Sequence, residues 1–142
     1  MAEKKPETEA EKAVKQMRKN RARAKRKYIE KIKADCTSAG TYRPEFDRSI
    51  ETLAEIMVQR DKTWEEFEQS GGATMVEHTN KSGATNMIRN PLLVAWNELN
   101  RDMLSYQRDM GLTAAGLKKL HEDALKVKKK SALGEALKSI GG

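Results

Sequence analysis

A chain of 142 residues has room for one compact domain and its tails. With 37% hydrophobic, 5% aromatic and 35% charged residues, its core is thin for its length, so part of it must be a solvated helix, a tail or an oligomer surface. A single cysteine, Cys36, excludes an intramolecular disulfide and a Cys-rich metal site and fits a reducing cytoplasm. No apolar run approaches the roughly 20 residues of a membrane span, and the start "MAEKKPETEAEK" lacks the hydrophobic core of a secretory signal.

The net charge of +7 is unevenly spread. Residues 1 to 36 carry 13 Lys/Arg against 6 Asp/Glu, residues 37 to 117 carry 8 against 12, and residues 118 to 142 carry 7 against 3. An acidic middle between basic ends suggests a body with two arms that seek a polyanion, nucleic acid above all, although a charge run by itself is more often a solvated face than a specific site.

Residues 1 to 7 read as a flexible start. From Thr8 to Cys36 the composition is strongly helical, and Thr8 with Glu11 forms a capping-box pattern. The stripe Val14, Met17, Arg21, Ala24, Tyr28 and Ile32 is only weakly apolar, so little packing is expected to hold this helix. Gly40 and Pro44 break it. A second helix spans Phe46 to Gln69, with apolar Phe46, Ile50, Leu53, Met57, Trp64 and Phe67 on one stripe and Arg60 in the gap. "SGG" at 70 to 72 stops it.

Around 73 to 89, Thr, Val and Ile flank "NKSG", which predicts a short β-hairpin. An isolated hairpin is marginal in water and is expected to lean on a helix or a neighbouring subunit. Asn90 then caps a helix and Pro91 fills its first turn. Leu92, Trp96, Leu99, Met103, Tyr106 and Met110 form a clean stripe that pairs with the second helix as an antiparallel hairpin. Gly111 ends this helix and Thr113 caps the next, which runs through Leu117 and Leu120 and could extend to Leu125. The tail "HEDALKVKKKSALGEALKSIGG" is expected to be mobile, with helical fragments broken by Gly134. The fold is mainly α: a basic arm at 1–41, a helical core with its hairpin at 42–121, and a basic tail at 122–142.

Nothing in the chain reads as catalytic. There is no Gly-rich phosphate loop. His78 and His121 belong to no ligand cluster, so no metal and no cofactor are expected. Lys31 and Lys33 could lower the pKa of Cys36, but an inert, semi-buried thiol is the better reading. Asp47, Glu51 and Glu55 share a helical face that is expected to be solvated and partly paired to Arg43 and Arg48. Trp64 and Trp96 sit within apolar stripes, which favours packing over base stacking.

The order of these elements resembles a common family of phage terminase small subunits over roughly residues 42 to 120. The resemblance begins at "YRPEFDRSIETLAEIMVQRD", passes through "TNKSGATNMIRNP" and closes on "LNRDMLSYQRDMGLTAAGLKKL". The family usually reads Gly-Leu-Thr-Pro, then a small residue, Ser and Arg. Here Gly111, Leu112 and Thr113 match, Ala114 replaces Pro, and Gly116 and Leu117 replace Ser and Arg. The resemblance implies a protein with no catalytic site of its own. It would bind double-stranded viral DNA at the packaging start (cos or pac), form a ring of about eight to ten subunits, and hand DNA to a large subunit carrying the ATPase and nuclease. Its place would be the host bacterial cytoplasm, not the mature virion. The basic ends fit that role, with phosphate-contact candidates Arg18, Lys19, Arg21, Arg23, Lys25, Arg26 and Lys27, and then Lys128, Lys129 and Lys130. The C-terminal segment could instead dock on the large subunit. The competing reading is a small helical DNA-binding regulator, or an adaptor, acting as a monomer or dimer.

Overall fold

Helices are set by their caps and placed by their apolar stripes in this computed structural model, which describes residues 8 to 140; the flexible start expected at residues 1 to 7 lies outside them. The elements run α1 (Glu9–Ser38), a 3-10 turn (Pro44–Phe46), α2 (Asp47–Gln69), β1 (Met75–Thr79), β2 (Thr85–Arg89), α3 (Pro91–Asp109) and α4 (Ala114–Ile140). The fold is mainly α with one two-stranded antiparallel hairpin.

The capping box at the head of α1 forms: the Glu11 amide donates to Thr8 Oγ1 at 3.2 Å, and the Thr8 amide donates to the Glu11 carboxylate at 2.7 Å. The end of α3 is a Schellman turn, with the Gly111 amide donating to the Arg108 carbonyl at 3.0 Å and the Leu112 amide to the Gln107 carbonyl at 2.8 Å. Gly111 sits at φ +72°, and a Cβ there would come within 2.8 Å of Leu120 and 2.9 Å of Thr41. Both backbone conformation and space therefore require glycine.

The core lies where three helix ends meet. Ile32 and Cys36 of α1, Ile50, Leu53 and Ala54 of α2, and Met110 at the end of α3 are buried together. Tyr28, Ile29, Tyr42, Phe46, Met57, Met103, Tyr106 and Leu112 pack around them. The last third of α1 thus belongs to the packed body, although a boundary at residue 41 would assign the whole helix to an arm. Farther along, Trp64 and Trp96 join α2 to α3 with ring centroids 4.8 Å apart, and Trp64 meets Phe67 at 5.3 Å. The other stripe residues of α3, Leu92 and Leu99, are half-buried.

Asn90 does two jobs. Its Oδ1 accepts from the Leu92 amide at 3.0 Å, capping α3, while its Nδ2 donates to the Ala73 carbonyl at 2.9 Å and its amide to the Thr74 carbonyl at 2.9 Å. The foot of the hairpin is tied to the head of α3 through this buried side chain. In the turn, Asn80 Oδ1 accepts from the amides of Ser82 and Ala84 at 3.1 and 3.0 Å. Val76 pairs with Ile88 on the half-buried face; Met75 and Met87 lie on the other, 43% and 57% exposed.

The C-terminal segment differs from its sequence reading. α4 continues through Gly134 to Ile140 without a break. Its first turn is fixed: the Gly116 amide donates to Thr113 Oγ1 at 3.1 Å, and Gly116 packs so closely on α3 that a Cβ would lie 2.1 Å from the Arg108 carbonyl oxygen. Beyond Leu120 every described side chain is exposed.

Candidate nucleic-acid interface

The cations of α1 fall into two groups because the helix puts every third or fourth residue on one face. Lys19, Arg23 and Arg26 lie at i, i+4 and i+7, with Lys27 beside them, on the side turned away from α2. All four are exposed, and none makes an ion pair among the described residues. They form a cationic strip about 12 Å long, at 1.5 Å of rise per residue. Arg18 is also exposed, with no ion pair among the described residues.

Arg21 and Lys25 point the other way. Both pair with Glu55 of α2, Lys25 at 3.2 Å. The two cations, Arg21 first, hold the Glu55 carboxyl below the usual carboxylate range. These two of the seven α1 candidates are therefore engaged within the chain. Lys33 likewise pairs with Asp47 at 2.9 Å, and that contact lowers the Asp47 pKa. The pairing expected from Arg43 and Arg48 to this acidic face is absent among the described residues; α1 supplies the partners instead. The sequence held one hint: Arg21 occupies a position in the apolar stripe, where a cation must meet a partner on the facing helix.

Arg60, the gap in the α2 stripe, was not singled out as a contact residue. It reaches across to α3, with Nη1 3.4 Å from Met103 Sδ and Nη2 3.1 Å from Asp61, while its Nε is buried without a hydrogen-bond partner. Asp61 also accepts the Tyr28 hydroxyl, and this bond pushes the phenol pKa upward. Cys36 is fully buried, and burial raises its thiol pKa, so the neighbouring lysines do not activate it. His78 and His121 are exposed. No group of three or more His, Cys, Asp or Glu is placed to hold a metal among the described residues.

Lys128, Lys129 and Lys130 are exposed on α4 and make no ion pair among the described residues. As consecutive residues they fan out at 100° intervals around the helix instead of sharing a face.

What the described residues offer is packing surface and exposed charge on a helical scaffold. Residues 24–125 match the family model for the phage terminase small subunit. The chain belongs to that family, and its role lies in phage DNA packaging. No curated protein and no solved structure matches it. The matched stretch holds the part of α1 that packs on α2, the hairpin, α3 and the anchored start of α4. Arg18, Lys19, Arg21 and Arg23 lie before it, and Lys128, Lys129 and Lys130 after it.

Proposed function

We propose that this small subunit binds double-stranded viral DNA at the packaging start site, assembles into a ring and delivers the DNA to the large subunit, regulating its ATPase and nuclease. The observation that carries the reading is the unpaired cationic strip Lys19, Arg23, Arg26 and Lys27 on a long helix of a terminase small subunit. Each cation that meets a phosphate releases counterions, so binding is salt-dependent and rests on several weak contacts. A ring multiplies such contacts through avidity. The acidic middle of the chain is then the assembly unit, and the strip is the DNA surface. The packaging step runs in the host bacterial cytoplasm, and the subunit does not remain in the mature virion. α4, uncovered beyond Leu120, is the segment available to the large subunit.

The test is a salt titration of binding to a packaging-start duplex. Replacing Lys19, Arg23, Arg26 and Lys27 by Ala is expected to flatten the slope of log affinity against log salt by about 3 to 4. An unchanged slope rejects the strip. The mass in solution tests the ring, and a persistent monomer or dimer that still binds DNA favours a small regulator.

A further inference from the structure

The other face of α1 is only partly covered by α2. Ala10, Val14, Met17, Arg21, Ala24 and Tyr28 step four, three, four, three, four, which is the spacing of a helix that packs along another helix. Tyr28 finds its partner on α2. Arg21 is held by Glu55. Above them no described residue packs on the seam: every residue from Thr8 to Arg23 is exposed, Val14 at 47% and Met17 at 58%. The face that packs within the chain continues past the point where α2 stops covering it.

A second α1 is a poor occupant, because the helix carries 11 Lys/Arg against 4 Asp/Glu and two such helices repel. A better one exists elsewhere on the same chain. Arg60, Asp61, Trp64, Glu65, Glu68 and Trp96 line a groove between α2 and α3. Its floor is the half-buried Trp64 and Trp96 pair. At its rim, among the described residues, Glu68 makes no ion pair and Glu65 takes a hydrogen bond from Gln69 at 3.2 Å and no ion pair. The groove is apolar below and acidic above; the helix overhang is apolar along its seam and cationic at Arg18 beside it. The chain's own overhang does not fill it, since those residues are exposed.

We propose that the α1 overhang of one copy seats Val14 and Met17 on the Trp64–Trp96 groove of a second copy, with Arg18 against Glu65 and Glu68. The inference rests on the ring reading and deepens it. The two surfaces differ, so each copy gives one helix and accepts another. That head-to-tail arrangement closes into a ring when its rotation permits. The strip Lys19, Arg23, Arg26 and Lys27 stays outward on the opposite face, free for DNA.

The experiment follows the mass of the full chain by light scattering across protein concentration. It compares the native protein with V14E/R18E, with E65K/E68K, and with all four changes together. All four positions are exposed, so helicity by circular dichroism should be unchanged. Each pair alone is expected to raise the concentration at half-assembly by about tenfold or more, and the combination to restore it. Assembly of E65K/E68K at the native concentration overturns the proposal while leaving the ring intact. Weakening by both pairs without restoration overturns it too, since helix and groove then meet different surfaces. A native chain that stays monomeric with and without DNA overturns the ring reading and this inference with it.

Discussion

The first and last helices are both long, cationic and largely exposed, yet they are organised differently. α1 segregates its residues: a seam along one face and free cations along the other. α4 does not. Leu117, Leu120 and Val127 lie on one side, while Leu133, Leu137 and Ile140 lie on the opposite side. The later three are 63%, 63% and 80% exposed. Its lysines at 128 to 130 interrupt the pattern and point in three directions. A count of positive charges treats the two helices alike; helical phase separates a surface from a solvated rod.

The largest expected effect tests that distinction on DNA. Four α1 cations aligned on one face should engage one phosphate track together, whereas three fanned lysines on α4 cannot. Replacing Lys128, Lys129 and Lys130 by Ala should change the salt slope by about 1 or less, against about 3 to 4 for the α1 strip. A filter-binding series at several salt concentrations measures both, and equal losses would erase the difference between the helices.

Next comes the anchor of α4. Gly116→Ala places a methyl 2.1 Å from a backbone oxygen, and neither α3 nor α4 can yield cheaply there. The cost should be about 3 kcal/mol, read as a lower midpoint in urea. α1 should stay docked on α2, because its contacts lie at Ile32, Cys36 and Glu55.

The clamp on α1 gives a smaller effect with a defined sign. The folded Glu55 pKa lies below its unfolded value, so the pairs with Arg21 and Lys25 stabilise the protein at pH values above the ordinary glutamate pKa and are lost as pH falls through the lowered one. Asp47 with Lys33 adds in the same window. Glu55→Gln should lower stability at neutral pH by about 0.5 kcal/mol, as surface pairs do. It should also blunt the acid sensitivity and free Arg21 and Lys25 for a polyanion, raising DNA affinity. Denaturation curves at neutral pH and near pH 3 check the first two, and the DNA titration the third.

How much of this was legible in the sequence follows from the range of each interaction. The capping box, the Asn90-Pro91 start, the Gly111 stop and the hairpin are local signals, and they stand as read. The α2–α3 pairing came from two matching stripes. What could not be read was tertiary. Glu55 is 34 positions from Arg21, and no spacing rule links them. The second role of Asn90 depends on where Ala73 lies. Gly116 looked like a departure from a motif; in space it is where α4 touches α3. For the site, the run of seven cations was visible, but its division into five free and two engaged needed the partner helix.

Gly134 marks the reading that failed, and it supplies the smallest prediction. Glycine costs an α-helix roughly 1 kcal/mol relative to alanine, which argued for a break, but the helix passes straight through. It can do so because Ala, Leu, Lys and Glu on both sides favour helix, so one weak position is outvoted along its length. A Cβ placed there would meet nothing within 4 Å beyond the backbone of its own helix. Gly134→Ala should therefore add helix content by circular dichroism and steepen its thermal loss in the last turns, by about 0.5 to 1 kcal/mol, without moving the unfolding of the core. If the core midpoint shifts as well, the end of α4 is coupled to the body and is not the solvated rod that sets it apart from α1.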